Sequence, residues 1–419
     1  MNEELNRTKF DEGISIVLNN IFEKDEGVVL GFETEYHLVD ENLNPGHQDV
    51  VETLVKVGRE LELGGHQIEL NGDKIKGNNL NKIYSFLKNR EESLVVDLSK
   101  KGLRILRIGA LPNLQPSDLV VGNKEKYLIV PAYHDKNRDP DVDTIIGEVN
   151  FNCAKSVGLF SSIQLNVQAK SLEDGIDKLN RSLMIGPYIA AISGNARIIA
   201  NKDTGYSDVR MVAWNKSHQL KRRSDFETEE RVGLPNKFYS DIKDYISRMR
   251  ERPFIYDLSS ADPLKAVAVG VGLNWRDTRL KFIQEDNLFR PVVEFRLPSL
   301  QPSLDEDLSV LLFYLGRVEW SQMNNEELFT RYKFNRSEAL RLGLDGMMYD
   351  GMKLVTKIKP LIEREISRAE DGLVNLGFSR NECKDYLDIL RARNECPSKR
   401  FVREISEEGL ENAMKKYLI

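Results

Sequence analysis

The chain has 419 residues, of which 41% are hydrophobic and 30% charged, and its 60 basic and 66 acidic residues give a net charge of −6. This composition is typical of a folded globular protein and excludes the disordered and fibrous classes. The acidic balance supplies no broad cationic surface, so we expect no nucleic acid among the partners.

The N-terminal segment and the apolar runs carry no targeting or membrane signal. The acidic first residues lack the apolar stretch of a signal peptide. The longest apolar run, residues 310–315, is far shorter than the roughly 20 residues that a membrane span needs. We therefore expect a cytoplasmic protein that binds no membrane, with reduced thiols at Cys153, Cys383 and Cys396.

Helical and strand-like segments follow one another without regular alternation. Helical periodicity predicts helices over 47–63, 79–102, 171–192, 304–323, 349–375, 379–393 and 403–417. Segments rich in β-forming residues predict strands over 27–38, 66–70, 103–110, 160–168, 253–257 and 290–297. This mixture predicts an α+β fold with an antiparallel sheet.

The two ends of the chain differ in predicted structure. We expect residues 1–303 to form a core with an acidic antiparallel sheet, because every predicted strand lies there. Residues 304–419 are predicted to be helical throughout and to pack on the same core. The alternative is a separate helical lobe.

Four of the predicted strands place carboxylates, amides and an arginine on one face. Because side chains two residues apart point the same way, Glu33 and Glu35 share a face opposite Phe32 and Tyr36. By the same rule, the other three strands pair Gln67 with Glu69, Gln164 with Asn166, and Glu294 with Arg296.

Such alternation usually marks a sheet face in contact with solvent, and for a single strand that interpretation is favoured. Four strands together favour a site, because stacked carboxylates repel one another unless a cation neutralises them. Mg²⁺ prefers oxygen ligands and is often shared with substrate phosphates. A carboxylate-lined sheet with a nearby arginine therefore predicts a metal–phosphate site.

Two loop-like segments add candidate side chains. Residues 194–214 lead through a polar turn to Arg210 and Trp214, and residues 272–282 carry Arg276 and Arg279 just before the Glu294 strand. Arginine forks suit carboxylates and phosphates, whereas an exposed loop and surface ion pairs are the alternatives. The sequence contains neither a Walker-type phosphate loop nor a dinucleotide-binding glycine motif, so any nucleotide must bind in a different cradle.

The order of these segments resembles the glutamate–cysteine ligases and related carboxylate–amine ligases of the glutamine-synthetase superfamily. The G-x-E-x-E strand of that family is matched by Gly31, Glu33 and Glu35. Its other motifs resemble GGHQIEL with Gln67 and Glu69, SSIQLNVQ with Gln164 and Asn166, NKDTGYSDVRMVAW with Thr204, Arg210 and Trp214, and VVEFRLP with Glu294 and Arg296. The resemblance covers residues 28–315.

Two positions depart from the family pattern. Many bacterial relatives carry His-x-His where Gln164 and Asn166 stand here, which implies a different metal shell. An acidic residue often lies three positions after the E-x-R arginine, where this chain has Ser299. That departure leaves the identity of the amino-acid substrate open.

The resemblance implies a curved antiparallel sheet that forms a funnel flanked by helices. ATP would enter one end and glutamate the other, and the acyl phosphate formed between them would be captured by an amine such as cysteine. The implied ions are Mg²⁺ or Mn²⁺, and a homodimer is compatible with the family. The implied roles are metal binding for Glu33, Glu35, Glu69 and Glu294, catalysis for Arg296 and Glu35, substrate binding for Arg210, Arg279 and Thr204, and nucleotide binding for Gln164, Asn166 and Gln67.

Three functions follow from these observations. The first is a γ-glutamyl ligase, with glutamate–cysteine ligase as the leading member. The second is a ligase of the same fold for another amine or acid. The third is a catalytically silent metabolite-binding relative, which the retained set of four repelling carboxylates disfavours.

Overall fold

The structure, a computed structural model, describes residues 3–24, 26–72, 74–221, 230–351 and 354–419. The α-helices are α1 (Glu3–Asn19), α2 (Gln48–Glu52), α3 (Leu80–Ser99), α4 (Glu125–Asn137), α5 (Leu172–Ser193), α6 (Arg210–His218), α7 (Ile242–Arg250), α8 (Pro263–Gly272), α9 (Leu304–Met323), α10 (Tyr332–Leu342), α11 (Ile358–Asn375), α12 (Arg380–Arg391), α13 (Pro397–Glu408) and α14 (Leu410–Lys415). Short 3₁₀ helices span Pro116–Asp118, Ala154–Leu159 and Gly343–Asp345.

The strands are β1 (Val29–Val39), β2 (Arg59–Leu61), β3 (Gln67–Asn71), β4 (Ile75–Lys76), β5 (Arg104–Leu106), β6 (Ile145–Ile146), β7 (Val149–Asn150), β8 (Ile163–Gln168), β9 (Ile198–Ile199), β10 (Lys202–Asp203), β11 (Val232–Gly233), β12 (Trp275–Arg276), β13 (Thr278–Glu285), β14 (Leu288–Phe295), β15 (Met347–Asp350) and β16 (Leu354–Lys357).

The main sheet has the order β13-β14-β8-β1-β3-β2, and β4 and β5 pair with the two ends of β1. All of these pairs are antiparallel. The sheet curls strongly into a half-barrel, so the predicted α+β fold with a curved antiparallel sheet is confirmed. The concave shape turns the polar side chains of separate strands toward a common space.

The two faces of the sheet differ as the alternation predicts. On β1, Leu30, Phe32, Tyr36 and Leu38 are buried in the main hydrophobic core. Helix α5 lies behind the sheet and is buried along most of its length. On the same side, α9 packs on β14.

Helix α9 belongs to the region predicted to pack on the core, and one aromatic contact fixes it there. The ring of Tyr314 on α9 stacks on Phe295 of β14 with centroids 3.9 Å apart and planes at 3°. The helix begins at the N-cap Ser303, whose hydroxyl accepts the N–H of Glu306. The proposed division of the chain at residue 303 stays a prediction.

None of the helices in the described ranges is long and apolar enough to cross a membrane.

Several predicted elements are wrong in extent or type. The predicted helix over 47–63 is reduced to α2, and its second half contains β2. The segment 253–257 contains no strand. The predicted helix over 349–375 begins only at Ile358, after the β15–β16 hairpin, and residues 352–353 of that prediction lie outside the described residues. The last predicted helix is two helices, because Gly409 adopts a φ of 84° between them.

Candidate active site

A cavity of about 970 Å³ lies between the polar face of the sheet and the helices α4, α6 and α8. Its volume is at the upper end of the range typical of small-molecule sites. The sheet wall carries carboxylates, amides and arginines. The wall opposite the sheet is largely apolar and includes Val130 and Val269 on helices α4 and α8, together with Leu258 and Trp275 from the segments that flank α8.

Strand register brings the predicted side chains of separate strands into neighbouring rows. Glu35 lies opposite Glu69, and Glu69 lies opposite Glu60 on the outer strand. Glu33 lies opposite Gln164.

A second row crosses the sheet from β13 to β1. It consists of Arg279, Glu294, Asn166 and Gly31 in successive strands. Gly31 is needed in this row, because a Cβ there would lie 3.3 Å from the Cβ of Asn166. The glycine therefore lets the Asn166 side chain lie against β1.

In the half of the site around Glu294, cations already neutralise the carboxylates. Both Arg279 and Arg296 donate to Glu294 Oε2, the latter at 3.0 Å. Lys281 donates to Glu294 Oε1 at 2.7 Å and to Glu33 Oε1 at 3.1 Å. Burial alone would raise the pKa of Glu294, but Arg279, Arg296 and Lys281 together hold that pKa well below its usual range.

In the half around Glu35, carboxylates face one another without a paired cation. Burial and the nearby charge of Glu35 raise the pKa of Glu62 to about 7. Burial and the charges of Glu62, Glu33 and Glu35 raise the pKa of Glu69 well above its usual range. Within the described ranges, no lysine or arginine forms an ion pair with Glu35, Glu62 or Glu69.

Glu35 is held in place by neutral donors. The Ser162 N–H and hydroxyl donate to Glu35 Oε2 at 2.7 and 2.8 Å, and Gln164 Nε2 donates to Oε1 at 2.9 Å. Burial raises the pKa of Glu35, and the charges of Arg210 and Arg296 oppose that rise.

Gln164 and Arg296 connect the two halves. Arg296 Nη1 donates to Gln164 Oε1 at 2.6 Å and to Glu294 Oε2, while the Gln164 amide donates to Glu35. Burial alone would lower the pKa of Arg296, but the charges of Glu294, Glu35 and Glu33 outweigh that effect and raise it. A permanently charged guanidinium therefore stands at the wall of the cavity.

Arg210 also lines the cavity, at the first residue of α6. Its Nη2 donates to the carbonyl oxygens of Arg296 and Leu297, while its buried Nε has no acceptor in the part of the chain that the structure describes. A guanidinium fixed on one side and unpaired at Nε is suited to bind a carboxylate. Arg210 thus lines the same cavity as Glu35 and Glu69, and its role in substrate binding stays a prediction.

The other predicted residues differ in their placement. Arg279 and Gln67 line the cavity, but the Gln67 amide is engaged by the Gly64 N–H at 2.9 Å and the Phe160 carbonyl at 2.7 Å. Asn166 donates to Glu33 at 2.8 Å. The structure does not bring Thr204 to the cavity wall; its hydroxyl donates to the carbonyl of Arg197 at 2.8 Å.

Aromatic side chains shape the far wall. The rings of Trp214 and Trp275 lie 6.0 Å apart, and His218 packs against both. Burial lowers the pKa of His218 well below its usual range, so this histidine is neutral. Trp214 Nε1 is buried without an acceptor among the described residues, which leaves a donor for a ligand beside the cavity.

The donor chemistry fits a hard divalent cation, although the carboxylates are not drawn together. Among the described residues, no three His, Cys, Asp or Glu side chains are close enough to one another to hold a metal ion. Carboxylates repel one another when they are ionised without a cation, and a bound cation would remove that repulsion. The oxygen-only set of Glu35, Glu62 and Glu69 would hold Mg²⁺ or Mn²⁺ in preference to softer ions.

Two residues of this site were not predicted from the sequence. Glu62 follows β2 in a segment predicted as helix, yet RELELGG alternates with period two and ends in a glycine pair, which is a strand signal. Lys281 lies on β13, where polar and apolar residues of TRLKF also alternate.

A tight turn joins β13 to β14. It consists of Asp286 and Asn287, and Asp286 has a φ of 55°, as tight hairpin turns require.

The chain matches known proteins by family and by fold. The family model "Glutamate-cysteine ligase family 2 (GCS2)" matches residues 29–393. The glutamate–cysteine ligase of Francisella tularensis, solved in complex with AMP, has 11% sequence identity and a TM-score of 0.62, over 94% of this chain and 89% of its own.

The bifunctional glutathione synthetase of Pasteurella multocida has 13% identity and a TM-score of 0.58, over 94% of this chain and 52% of its own. At these identities the two structures show a shared fold. No curated protein sequence matches this chain. The family model nevertheless spans the main sheet and helices α2 to α12. The resemblance inferred from the motifs is therefore confirmed, and the chain belongs to glutamate–cysteine ligase family 2.

Proposed function

We propose that this chain is an ATP-dependent ligase that joins the γ-carboxylate of glutamate to an amine, with cysteine as the first amine to test. The observation that carries the proposal is the set of carboxylates Glu35, Glu62 and Glu69, which face one cavity and form no ion pair with a lysine or arginine of the described ranges. Glu69 is buried, and Glu35 and Glu62 are half-buried. Keeping such groups together costs stability unless a ligand compensates their charge. Membership of the ligase family supports a metal–nucleotide as that ligand.

The metal would be Mg²⁺ or Mn²⁺, bound by Glu35, Glu62 and Glu69, and it would neutralise charge on the ATP phosphates during transfer. Arg296 would stabilise the charge that develops on the transferred phosphoryl group. The salt bridge with Glu294 and the hydrogen bond with Gln164 fix its guanidinium before the reaction begins.

Arg210 would hold a carboxylate of the amino-acid substrate. The two strand carbonyls bound to its Nη2 orient the guanidinium, and the buried Nε offers an unused donor. Trp214, one turn further along α6, would close the pocket with its ring and offer the indole N–H to a substrate oxygen. The amino-acid substrate would then lie between α6 and the sheet.

The proposed reaction proceeds in two steps. An oxygen of the γ-carboxylate attacks the γ-phosphorus of ATP, which releases ADP and forms an acyl phosphate. The amine nitrogen then attacks the acyl carbon, the carbon–oxygen bond to phosphate breaks, and the amine loses a proton. The apolar wall around Leu258 and Val269 would keep water from competing with the amine.

The direct test is ATP cleavage by the purified full-length chain in Mg²⁺ buffer, with and without glutamate. A panel of amino acids and simple amines is then added, and the products are identified by mass spectrometry. We expect glutamate-dependent formation of ADP and one dominant γ-glutamyl amide. ADP formation with another acid would overturn the assignment of glutamate, and absence of any nucleotide cleavage would overturn the ligase function.

A further inference from the structure

A lysine stands where the two carboxylates of one half of the site meet. Lys281 Nζ lies 3.1 Å from Glu33 Oε1 and 2.7 Å from Glu294 Oε1. Glu294 is fully buried, and the side chains of Lys281 and Glu33 are each 19% exposed. An ammonium in that position satisfies both carboxylates at once.

The backbone fixes the position of this lysine. Lys281 lies opposite Val292 in the long β13–β14 ladder, and its neighbour Leu280 is fully buried on the other face. The alternation of β13 therefore directs Lys281 to the same face as Arg279, toward the carboxylates. A shift of the β13–β14 register by one residue would turn Lys281 away from the site and Leu280 toward it.

The two halves differ in the number of cations that pair with their carboxylates. Glu33 and Glu294 carry two negative charges and contact three cations, namely Lys281, Arg279 and Arg296. Both oxygens of Glu294 are engaged by these donors. A divalent ion binding Glu33 and Glu294 would add charge to a half that is already positive.

The same half of the site nevertheless contains three side chains whose oxygen atoms are suitable ligands for a metal ion. Asn166 Oδ1 is buried and receives no hydrogen bond from any described residue, and the Asn166 amide nitrogen donates to Glu33. Oxygens of Glu33, Glu294 and Asn166 form a ligand set typical of a hard cation. The ammonium of Lys281 occupies the space between the two carboxylates of that set.

We propose that Lys281 replaces a second divalent ion in this half of the site, so that the nucleotide-loaded protein binds a single divalent ion, at Glu35, Glu62 and Glu69. The inference rests on the proposed nucleotide chemistry of the site. Two of the three ammonium N–H groups bind Glu33 and Glu294. Lys281 then serves as a fixed counter-ion for these two carboxylates.

The test counts bound Mn²⁺ per chain, by equilibrium dialysis and electron paramagnetic resonance, with a saturating non-hydrolysable ATP analogue. We expect one Mn²⁺ for the unmodified chain and for Lys281→Arg, which keeps the charge. We expect two for Lys281→Met, because Glu33 Oε1 and Glu294 Oε1 then lose the ammonium that lies between them, although Arg279 and Arg296 still bind Glu294 Oε2. The matched control is Lys74→Met, which removes a lysine–glutamate pair with Glu285 at the surface and should leave one ion.

Each count of bound Mn²⁺ either supports or overturns the proposed replacement of a metal ion by Lys281. Two ions in the unmodified chain would show that Lys281 yields its place to a metal, which overturns the inference and keeps the proposed function. One ion in Lys281→Met would show that the lysine does not exclude the second ion, which also overturns the inference. Absence of nucleotide-dependent Mn²⁺ in every variant would overturn the metal–nucleotide site itself. Should Lys281→Met fail to fold, the count in the unmodified chain and in Lys281→Arg still decides between one ion and two.

Discussion

The two halves of the sheet's polar face hold the same kind of side chain in opposite electrostatic settings. Around Glu294, arginines and a lysine keep a fully buried carboxylate ionised. Around Glu62, two further carboxylates and burial favour the protonated form. The carboxylate of the first half is neutralised by protein side chains without a ligand. The carboxylates of the second half lower the free energy of unfolding until a cation binds. The proposed function therefore places the divalent ion at Glu35, Glu62 and Glu69.

The largest effect expected from this comparison is the loss of Glu35. Glu35→Gln keeps the shape and the contacts to Ser162 but removes the negative charge. We expect kcat of the ligase reaction to fall by about 10²–10³-fold, the range seen when one electrostatic contact to the transition state is lost. Steady-state kinetics with ATP and glutamate provide the measurement.

Glu60 supplies the matched control for that substitution. It lies in the same row of the sheet, opposite Glu69, but is half exposed and paired with Lys124 at the rim. We expect Glu60→Gln to change kcat less than about threefold, since exposed ion pairs contribute little. Equal losses in Glu35→Gln and Glu60→Gln would contradict the division into halves.

The next effect separates the two arginines of the site. Arg296 is bound by Glu294 and Gln164 and faces the proposed phosphoryl group, so Arg296→Ala should lower kcat by roughly 10²-fold. Arg210→Lys should instead raise KM for glutamate roughly tenfold with a small change in kcat, because an ammonium cannot reproduce the fork. An unchanged KM for glutamate in Arg210→Lys would remove that residue from the substrate pocket.

A smaller effect concerns the pH dependence of stability around Glu62. Burial and the Glu35 charge raise the pKa of Glu62 from 4.5 to about 7, so the folded chain binds more protons than the unfolded chain between these values. The stability contributed by this group is therefore present below pH 4.5 and is lost as the pH rises to 7. Removing the ionisable group should stabilise the metal-free protein most above pH 7.

Thermal melts of Glu62→Gln and the unmodified chain test this sign. Without metal, the variant should melt a few degrees higher at pH 8, and the difference should shrink toward pH 5. The buried pair His37 and His66 affects both proteins equally and cancels in the difference. Loss of the Glu62 charge also removes one cause of the raised pKa of Glu69, which acts in the same direction. A variant that melts lower at pH 8, or a difference independent of pH, would contradict the assigned charge state.

The sequence predicts most of the sheet wall and little of the wall opposite the sheet. Glu33, Glu35, Gln164 and Glu294 follow from period-two alternation, because one face of each strand must pack on the core. Lys281 and Glu62 were missed for a different reason. Their strands are short or charged, and helical periodicity competes with alternation over so few residues.

The cavity itself depends on contacts distant in sequence. Helices α4 and α8 supply part of the apolar wall, yet neither was predicted. The pairing of Lys281 with Glu33 joins residues 248 positions apart, which no local pattern encodes. Thr204 shows the opposite error, since its motif neighbours Arg210 and Trp214 reach the cavity while its own hydroxyl binds the Arg197 carbonyl.

The most direct test of the central claim follows an oxygen atom through the reaction. The full-length chain is incubated with ATP, Mg²⁺, the preferred amine and glutamate labelled with ¹⁸O in its γ-carboxylate, and the released phosphate is analysed by mass spectrometry. Transfer from ATP to the carboxylate predicts one ¹⁸O in the phosphate for each amide formed, because the acyl carbon–oxygen bond breaks in the second step. Unlabelled phosphate, or release of AMP and pyrophosphate, would contradict the account.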